Sequence, residues 1–507
     1  MKRVGQVGRT GDEERGDRSL PNPFSPLFTA LYVAAWTLVM LQGWGSRIDS
    51  SPTAWLSDPA NTAQRVIVRD LELAEANESP GLLQPVRRAL FGSFEEVLDV
   101  SVAIQRDATE SSAARVGIEG DGEDEGFEDL LQSNAGLSVL LAEAGELQKA
   151  FERAEQTLDP EIESAIRTIY GERAGDKPTT PKVNRRALES LAEAGLSDWL
   201  LERPAVRLLA RAGKTEPAAN ISRRIERRGA RWQRRVEALT AANYLLIAAG
   251  AVLLAAMARG AAQRKSPPHN SSANNVVPWS MALGFAVLVR ADFWNRFYFV
   301  TLNQLAIQFS QPEWLDPFYT WGTLIASLPL LWLIHRYLLV SSPVGFFKTF
   351  GLSPTQLRAS AVFSIAAAAL AIDLLGTTAL AWGSWGLGFE GHWAEGLDET
   401  LIWGSTREVI ESCIDYMLWT PIFEELVFRG LLFYTLRNRF GAWEAAAMSA
   451  VLFSAIHFYS LPGFLMTFWS GFVWAIAFER ARSLLPGILA HSVYNLFFVL
   501  GILLVYR

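Results

Sequence analysis

Cysteine is almost missing from this sequence: 507 residues contain one, Cys413. That excludes an intrachain disulfide and any cysteine-built zinc site, and it leaves the compartment unread from cysteine usage. Charge is sparse as well. Asp, Glu, Lys and Arg make up 20% of the chain, below the roughly 25% usual for soluble domains. The net charge of −7 gives no global attraction to phosphate, which argues against a nucleic-acid partner. What charge there is concentrates before residue 236. After it, one apolar stretch follows another, which excludes a wholly soluble protein.

The polarity pattern divides the chain. Residues 1–25 are polar, rich in Gly, Arg and Asp, and read as a disordered cytoplasmic tail. Residues 26–45 carry an uncharged run, LFTALYVAAWTLVMLQGW, longer than a signal-peptide core, and read as a membrane anchor. Residues 46–235 place Leu and Ala at three- and four-residue spacing, as in LSVLLAEAGELQKAFERAEQTL, and predict a soluble α-helical domain. Within it Asp121, Glu123, Glu125 and Gly126 imitate the first half of a calcium loop. Gln132 stands where the bidentate Glu belongs, so an acidic solvated loop is the better reading. Apolar segments near 237–258, 276–299, 318–339, 359–386, 410–436, 443–460, 463–479 and 484–506 each approach the ~20 residues that cross a bilayer as helix. With the anchor they predict an all-α, polytopic bundle of about nine spans, the soluble helical domain being inserted between the first and second. Residues 236–358 supply accessory spans and 359–507 the core. The weakest span is 276–299, interrupted by Arg290, Asp292 and Arg296.

Loop charge orients this bundle. Loops with Arg259, Arg264 and Lys265, with Arg336, Lys348 and Arg358, with Arg437 and Arg439, and with Arg480 and Arg482 alternate with loops holding Glu313 and Asp316, or Glu390, Glu395, Asp398 and Glu399. The alternation predicts a multi-pass protein of the cell (inner) membrane with a cytoplasmic N-terminus and the 46–235 domain outside. One strip stands against it: Arg223, Arg224, Arg227, Arg228, Arg231, Arg234 and Arg235 precede the second span on the outer side. Long translocated domains escape the rule, and such a strip suits anionic lipid headgroups or an acidic partner.

Ionisable residues inside spans are expensive and therefore candidates for function. Glu424, Glu425 and Arg429 stand in PIFEELVFRG. On a helix Glu425 and Arg429 are i and i+4 and can pair, while Glu424 points about 100° away and keeps its carboxyl clear of the guanidinium. A carboxyl spared in low dielectric suits general acid or base work near neutrality; the same trio also reads as an ion-paired packing device. His457 follows Phe453 by four in FSAIHF, and His491 and Asn495 share a face in LLPGILAHSVYNLF. Counted at 1.5 Å per residue from the cytoplasmic ends, Glu424 lies about 20 Å in, His457 about 21 Å, His491 about 12 Å and Asn495 about 18 Å. The heights overlap.

The ordered set EExxxR, FxxxH and HxxxN on successive apolar segments resembles the CPBP intramembrane proteases, which include type-2 CAAX prenyl endopeptidases and bacterial bacteriocin-processing or self-immunity proteins. The resemblance covers about the last third of the chain and leaves the anchor and the 46–235 domain unexplained. It implies an intramembrane endopeptidase, without cofactor or metal, that hydrolyses membrane-associated peptide or protein substrates through a glutamate-activated water. Glu424 would be the general base and His457 would hold the water. His491 and Asn495 would donate to the oxyanion, with Glu425, Arg429 and Phe453 as support.

Two other readings stay open. Glu424, His457 and His491 offer one carboxylate and two imidazoles to zinc, although HExxH is missing. A non-catalytic membrane scaffold or immunity factor would instead use the 46–235 domain to bind a protein partner. Asp373 and Asp415 read as interhelical hydrogen-bonding groups or cavity lining, His335 as an interface residue, and His269 and His392 as loop residues.

Overall fold

Three helices of the polar half start in the same way. Asp58, Asp159 and Thr180 each precede a proline and accept a hydrogen bond from a backbone N–H of the first turn. The cap satisfies a donor that the helix leaves open, and proline has no N–H to waste at that position. The computed structural model describes residues 23–49, 52–78, 84–119, 124–157, 159–171, 180–263, 279–309, 313–315, 318–319, 321–340, 345–353 and 358–507. Most of the N-terminal tail, the calcium-like positions Asp121 and Glu123, and Arg264, Lys265, His269 and Asp316 lie outside these residues. Among the described residues every regular element is helical and there is no strand, so the all-α reading holds.

The polar domain packs the helices Pro59–Asn77, Phe94–Glu119, Asp124–Glu143, Pro160–Tyr170 and Asp198–Arg211 around Ile67, Leu71, Leu137, Leu140, Ile166 and Trp199. Its last element is not confined to it. Thr215–Gln263 is one helix of 49 residues, about 74 Å long at 1.5 Å per residue. The fall in polarity near residue 236 therefore lies inside a continuous helix rather than at a linker. Gly229 lets this helix touch the Pro59–Asn77 helix, because a Cβ there would stand 2.0 Å from the Glu72 carbonyl oxygen.

Among the described residues five helices are long and apolar enough to cross a membrane: Thr215–Ala256, Gly322–Leu339, Ala359–Gly386, Leu461–Ala481 and Leu485–Val505. Of the other four expected spans, the anchor lies in the 24-residue helix Pro26–Asp49, apolar over Pro26–Leu38, and Ala442–Ala455 is a shorter apolar helix. Met281–Gln308 is a full-length helix that carries Arg290, Asp292 and Arg296, the last two paired at 2.7 Å. The 410–436 segment alternates α and π geometry, with π stretches at Asp415–Trp419 and Glu425–Phe433. Leu245, Val252, Leu328, Trp332 and Phe363, on three of these helices, are exposed, an apolar surface that a bilayer would cover.

The two ends of the bundle differ in their neighbours. At one end Glu399 accepts from the Asp58 N–H at 3.0 Å and the Thr62 hydroxyl at 2.8 Å, Trp393 donates to Asp107 at 2.8 Å, and Arg235 donates to the Leu504 carbonyl at 2.8 Å. The 387–404 loop, the C-terminal helix end and the polar domain thus gather together. At the other end Glu479 binds Arg437 at 3.0 Å and Arg482 at 2.8 Å, and Leu484 N–H meets the Phe350 carbonyl at 3.1 Å.

Candidate active site

The 406–436 segment departs from a plain helix at a proline. Thr420 N–H donates to the Asp415 carbonyl, five residues back. The next bond of that ladder would run from residue 421 to the Tyr416 carbonyl, and Pro421 has no N–H to give. Asn495 takes the vacant place: its side-chain amide donates to the Tyr416 carbonyl at 2.8 Å. This contact ties the Leu485–Val505 helix to the turn just before the two glutamates. Stretches of π geometry inside helices are frequent at functional sites.

The two glutamates then separate in role. Glu425 is fully buried and faces Arg429 at 3.0 Å. Arg429 also donates to the Gly471 carbonyl at 3.1 Å and lies over the rings of Phe453 and Trp474, at 4.5 and 5.2 Å. Glu424 retains 18% side-chain exposure and faces His491 Nε2 at 3.7 Å. The Glu425–Arg429 contact expected from the i, i+4 spacing is present, and Glu424 is not in ion-pair contact with the guanidinium.

His491 lies between the glutamates, with Nδ1 3.4 Å from Glu425 and Nε2 3.7 Å from Glu424. The Trp474 ring stacks on it, with centroids 4.1 Å apart and an interplanar angle of 26°. Gly487, one turn earlier, permits the approach: a Cβ there would meet Glu425 Oε2 at 2.6 Å. An imidazole that turns each ring nitrogen toward a carboxylate has its ring plane set between them, with Nε2 on the Glu424 side.

His457 is not inside a span. The Ala442–Ala455 helix ends two residues before it, and the chain turns through Phe458, at φ +56°, before Leu461 opens the next helix. Fourteen residues make about 21 Å of helix, short of the ~30 Å hydrocarbon core. His457 Nδ1 meets the Phe453 carbonyl at 2.7 Å, and its ring lies 4.9 Å from Phe453. The Nδ1 proton on that carbonyl leaves Nε2 as the acceptor of the ring. Phe453 also stands edge-on to His491 at 6.4 Å, so one aromatic ring links the two histidines and the Arg429 guanidinium.

Two neighbours of the site, Glu395 and Trp474, were not legible as such, while Asp373 reads in the sequence as an interhelical hydrogen-bonding group or cavity lining. Glu395, in the 387–404 loop, accepts from the Ser460 N–H at 2.7 Å and the Ser460 hydroxyl at 2.8 Å, and so holds the turn that carries His457. Asp373 is buried and accepts from Ser470 at 2.7 Å, in keeping with an interhelical hydrogen bond. Trp474 gave no signal within its apolar run. Asp415 accepts from Thr420 at 3.3 Å, and His392 pairs with Asp107 at 3.4 Å in the loop that touches the polar domain. Among the described residues no group of three His, Cys, Asp or Glu stands where a metal ion would be held. The zinc set raised from the sequence is not assembled.

Residues 408–497 match the family model for Type II CAAX prenyl endopeptidase Rce1-like proteins. The match encloses every residue of the EExxxR, FxxxH and HxxxN set, and over this segment it bears out the resemblance read from those motifs. It supports a CAAX-type protease at the level of the family. Searches of curated proteins and of solved structures return no match.

Proposed function

We propose that this protein is an intramembrane endopeptidase that hydrolyses peptide bonds of membrane-associated peptides or proteins with a water activated by Glu424. The observation that carries the reading is the division of labour between adjacent carboxylates. Glu425 is committed to Arg429 at 3.0 Å, while Glu424 stays partly accessible beside His491. Glu424 takes one proton from water, and His457 Nε2 accepts a hydrogen bond from the O–H that remains, so that the oxygen faces the scissile carbonyl. His491, carrying a proton on each ring nitrogen between Glu425 and Glu424, donates through Nε2 to the oxyanion as it forms, together with the second amide proton of Asn495. Stabilisation of this kind is often worth about 3 kcal/mol per donor. Proton return from Glu424 to the leaving amine completes the cycle, so no metal is required.

The test compares membrane and secreted peptides of cells carrying wild type or Glu424→Ala, with both proteins accumulating equally. Peptides that disappear and precursors that accumulate in the variant identify the substrate. An identical peptide set under all growth conditions favours the scaffold reading. In the proposed topology the N-terminus is cytoplasmic, and the polar domain lies outside with the 387–404 loop. Reporter fusions at Lys265, Ala394 and Arg439 should read in, out and in, and any other order removes it.

A further inference from the structure

The arginine strip of the long Thr215–Gln263 helix has no part in peptide hydrolysis, and among the described residues only its first half has acidic partners. Arg224, Arg228, Arg231 and Arg235 follow one another at spacings of four, three and four, which puts them along one helix face. The first two meet carboxylates: Arg224 pairs with Glu202 at 3.1 Å, and Arg228 pairs with Glu72 at 2.6 Å and with Glu202. Then the carboxylates run out. Among the described residues no acid pairs with Arg231, Arg234 or Arg235; Glu237, the next acid along the helix, is held by Arg87 at 2.8 Å. Arg231 and Arg235 lie over the Trp232 ring at 5.8 and 4.8 Å, and Arg235 spends one N–H on the Leu504 carbonyl.

These three arginines, with Ala238, Leu239 and Leu504, line a surface cavity of about 380 Å³. Its polarity is split, with guanidinium groups on the side of the polar domain and aliphatic groups on the side of the bundle. The split falls where the helix itself changes. From residue 238 to 258 the helix carries no charged residue, and Leu245 and Val252 are 70% and 72% exposed, as side chains against lipid would be. Guanidinium pairs well with phosphate, and the phosphate layer of a membrane lies directly above its hydrocarbon.

We propose that this cavity binds the phosphate of an anionic glycerophospholipid through Arg231, Arg234 and Arg235, with the acyl chains against Ala238, Leu239 and Leu504. The bound headgroup bridges the long helix and the end of the His491 helix, so that lipid joins the polar domain to the bundle. The inference needs the helix to enter a membrane and does not depend on peptidase activity.

The full-length protein in nanodiscs, with native mass spectrometry to count retained lipids, tests it. Phosphatidylglycerol should be retained over phosphatidylcholine, with a loss of roughly fivefold per arginine removed and about a hundredfold in Arg231→Gln/Arg234→Gln/Arg235→Gln. The triple Lys variant should keep most of the preference, and Arg234→Gln alone, which removes an exposed side chain, provides a graded loss in a folded protein. Equal retention of both lipids by wild type overturns the proposal. So does undiminished phosphatidylglycerol retention in the triple Gln variant, or displacement of the lipid by millimolar inorganic phosphate, which would make the site one for free phosphate. Capture of an acidic peptide in preference to phosphatidylglycerol also overturns it.

Discussion

Two buried clusters of glutamate and arginine, one in the polar domain and one in the bundle, are built from the same side chains and differ in how fully the carboxylates are used. In the polar domain Glu72 accepts from Arg228 at 2.6 Å and from the Trp232 indole at 2.9 Å, with Arg69 at 3.6 Å, while Glu202 takes the other side of the Arg228 guanidinium. Each carboxylate there is engaged several times over. In the bundle Glu425 is occupied by Arg429 and His491, while Glu424 has only an imidazole 3.7 Å away and some exposure. A cluster in which every acceptor is occupied holds helices together. One that spares a single carboxylate can act on a water.

The comparison breaks most sharply at its paired members. Glu425→Ala leaves the Arg429 guanidinium, 1% exposed, without its carboxylate partner, and removing one partner of a buried pair costs about 3–5 kcal/mol. The variant should accumulate poorly and unfold early in detergent. Arg228→Ala, by contrast, leaves Glu72 with Trp232 and Arg69, and a thermal melt of the full-length protein should show a smaller loss, of about 1–3 kcal/mol.

His491→Ala should keep the fold and lower turnover by roughly 10² to 10³, the effect of losing an oxyanion donor. Asn495→Ala should reduce both turnover and melting temperature, because its amide also holds the Tyr416 carbonyl that Pro421 leaves open. Turnover loss without a change in melting would assign Asn495 to the oxyanion alone.

The smallest effect belongs to the polar cluster. Burial pushes the Glu72 and Glu75 carboxyls above the usual value, against the lowering influence of Trp232 and Arg228 on the first and of Arg203 and Trp199 on the second. Between the ordinary carboxylate value and the raised one, the folded state binds more protons than the unfolded, so stability falls as pH rises. The melting temperature of the polar domain within the full-length protein should therefore drop as pH climbs from the ordinary value through the raised ones, with a shallower slope in Glu75→Gln.

Much of this was legible because charge in hydrocarbon is costly. Glu424, Glu425, Arg429, His457, His491 and Asn495 stood out for that reason, and the i, i+4 spacing correctly joined Glu425 to Arg429. Helix ends inside apolar runs were not legible. The run through His457 stays apolar across its turn, and only Ser460 followed by Pro462 hints that a new helix begins. The long helix hid its passage from polar to apolar because Arg, Gln, Glu, Ala and Leu all favour helix, whatever their polarity. Glu395 was counted among loop charges, since nothing in its neighbourhood signals a reach to Ser460.

The central claim is that adjacent carboxylates divide between base and scaffold, and one measurement meets it directly. Once a substrate peptide is identified, single-turnover cleavage by Glu424→Gln is compared with that of wild type, alongside substrate binding, melting temperature and response to chelator. The amide keeps the shape of the side chain and loses its proton acceptor. The account predicts unchanged binding and melting, a cleavage step lost to background, and a wild type indifferent to chelator. Wild-type cleavage by Glu424→Gln, or activity that chelator abolishes and zinc alone restores, would contradict it.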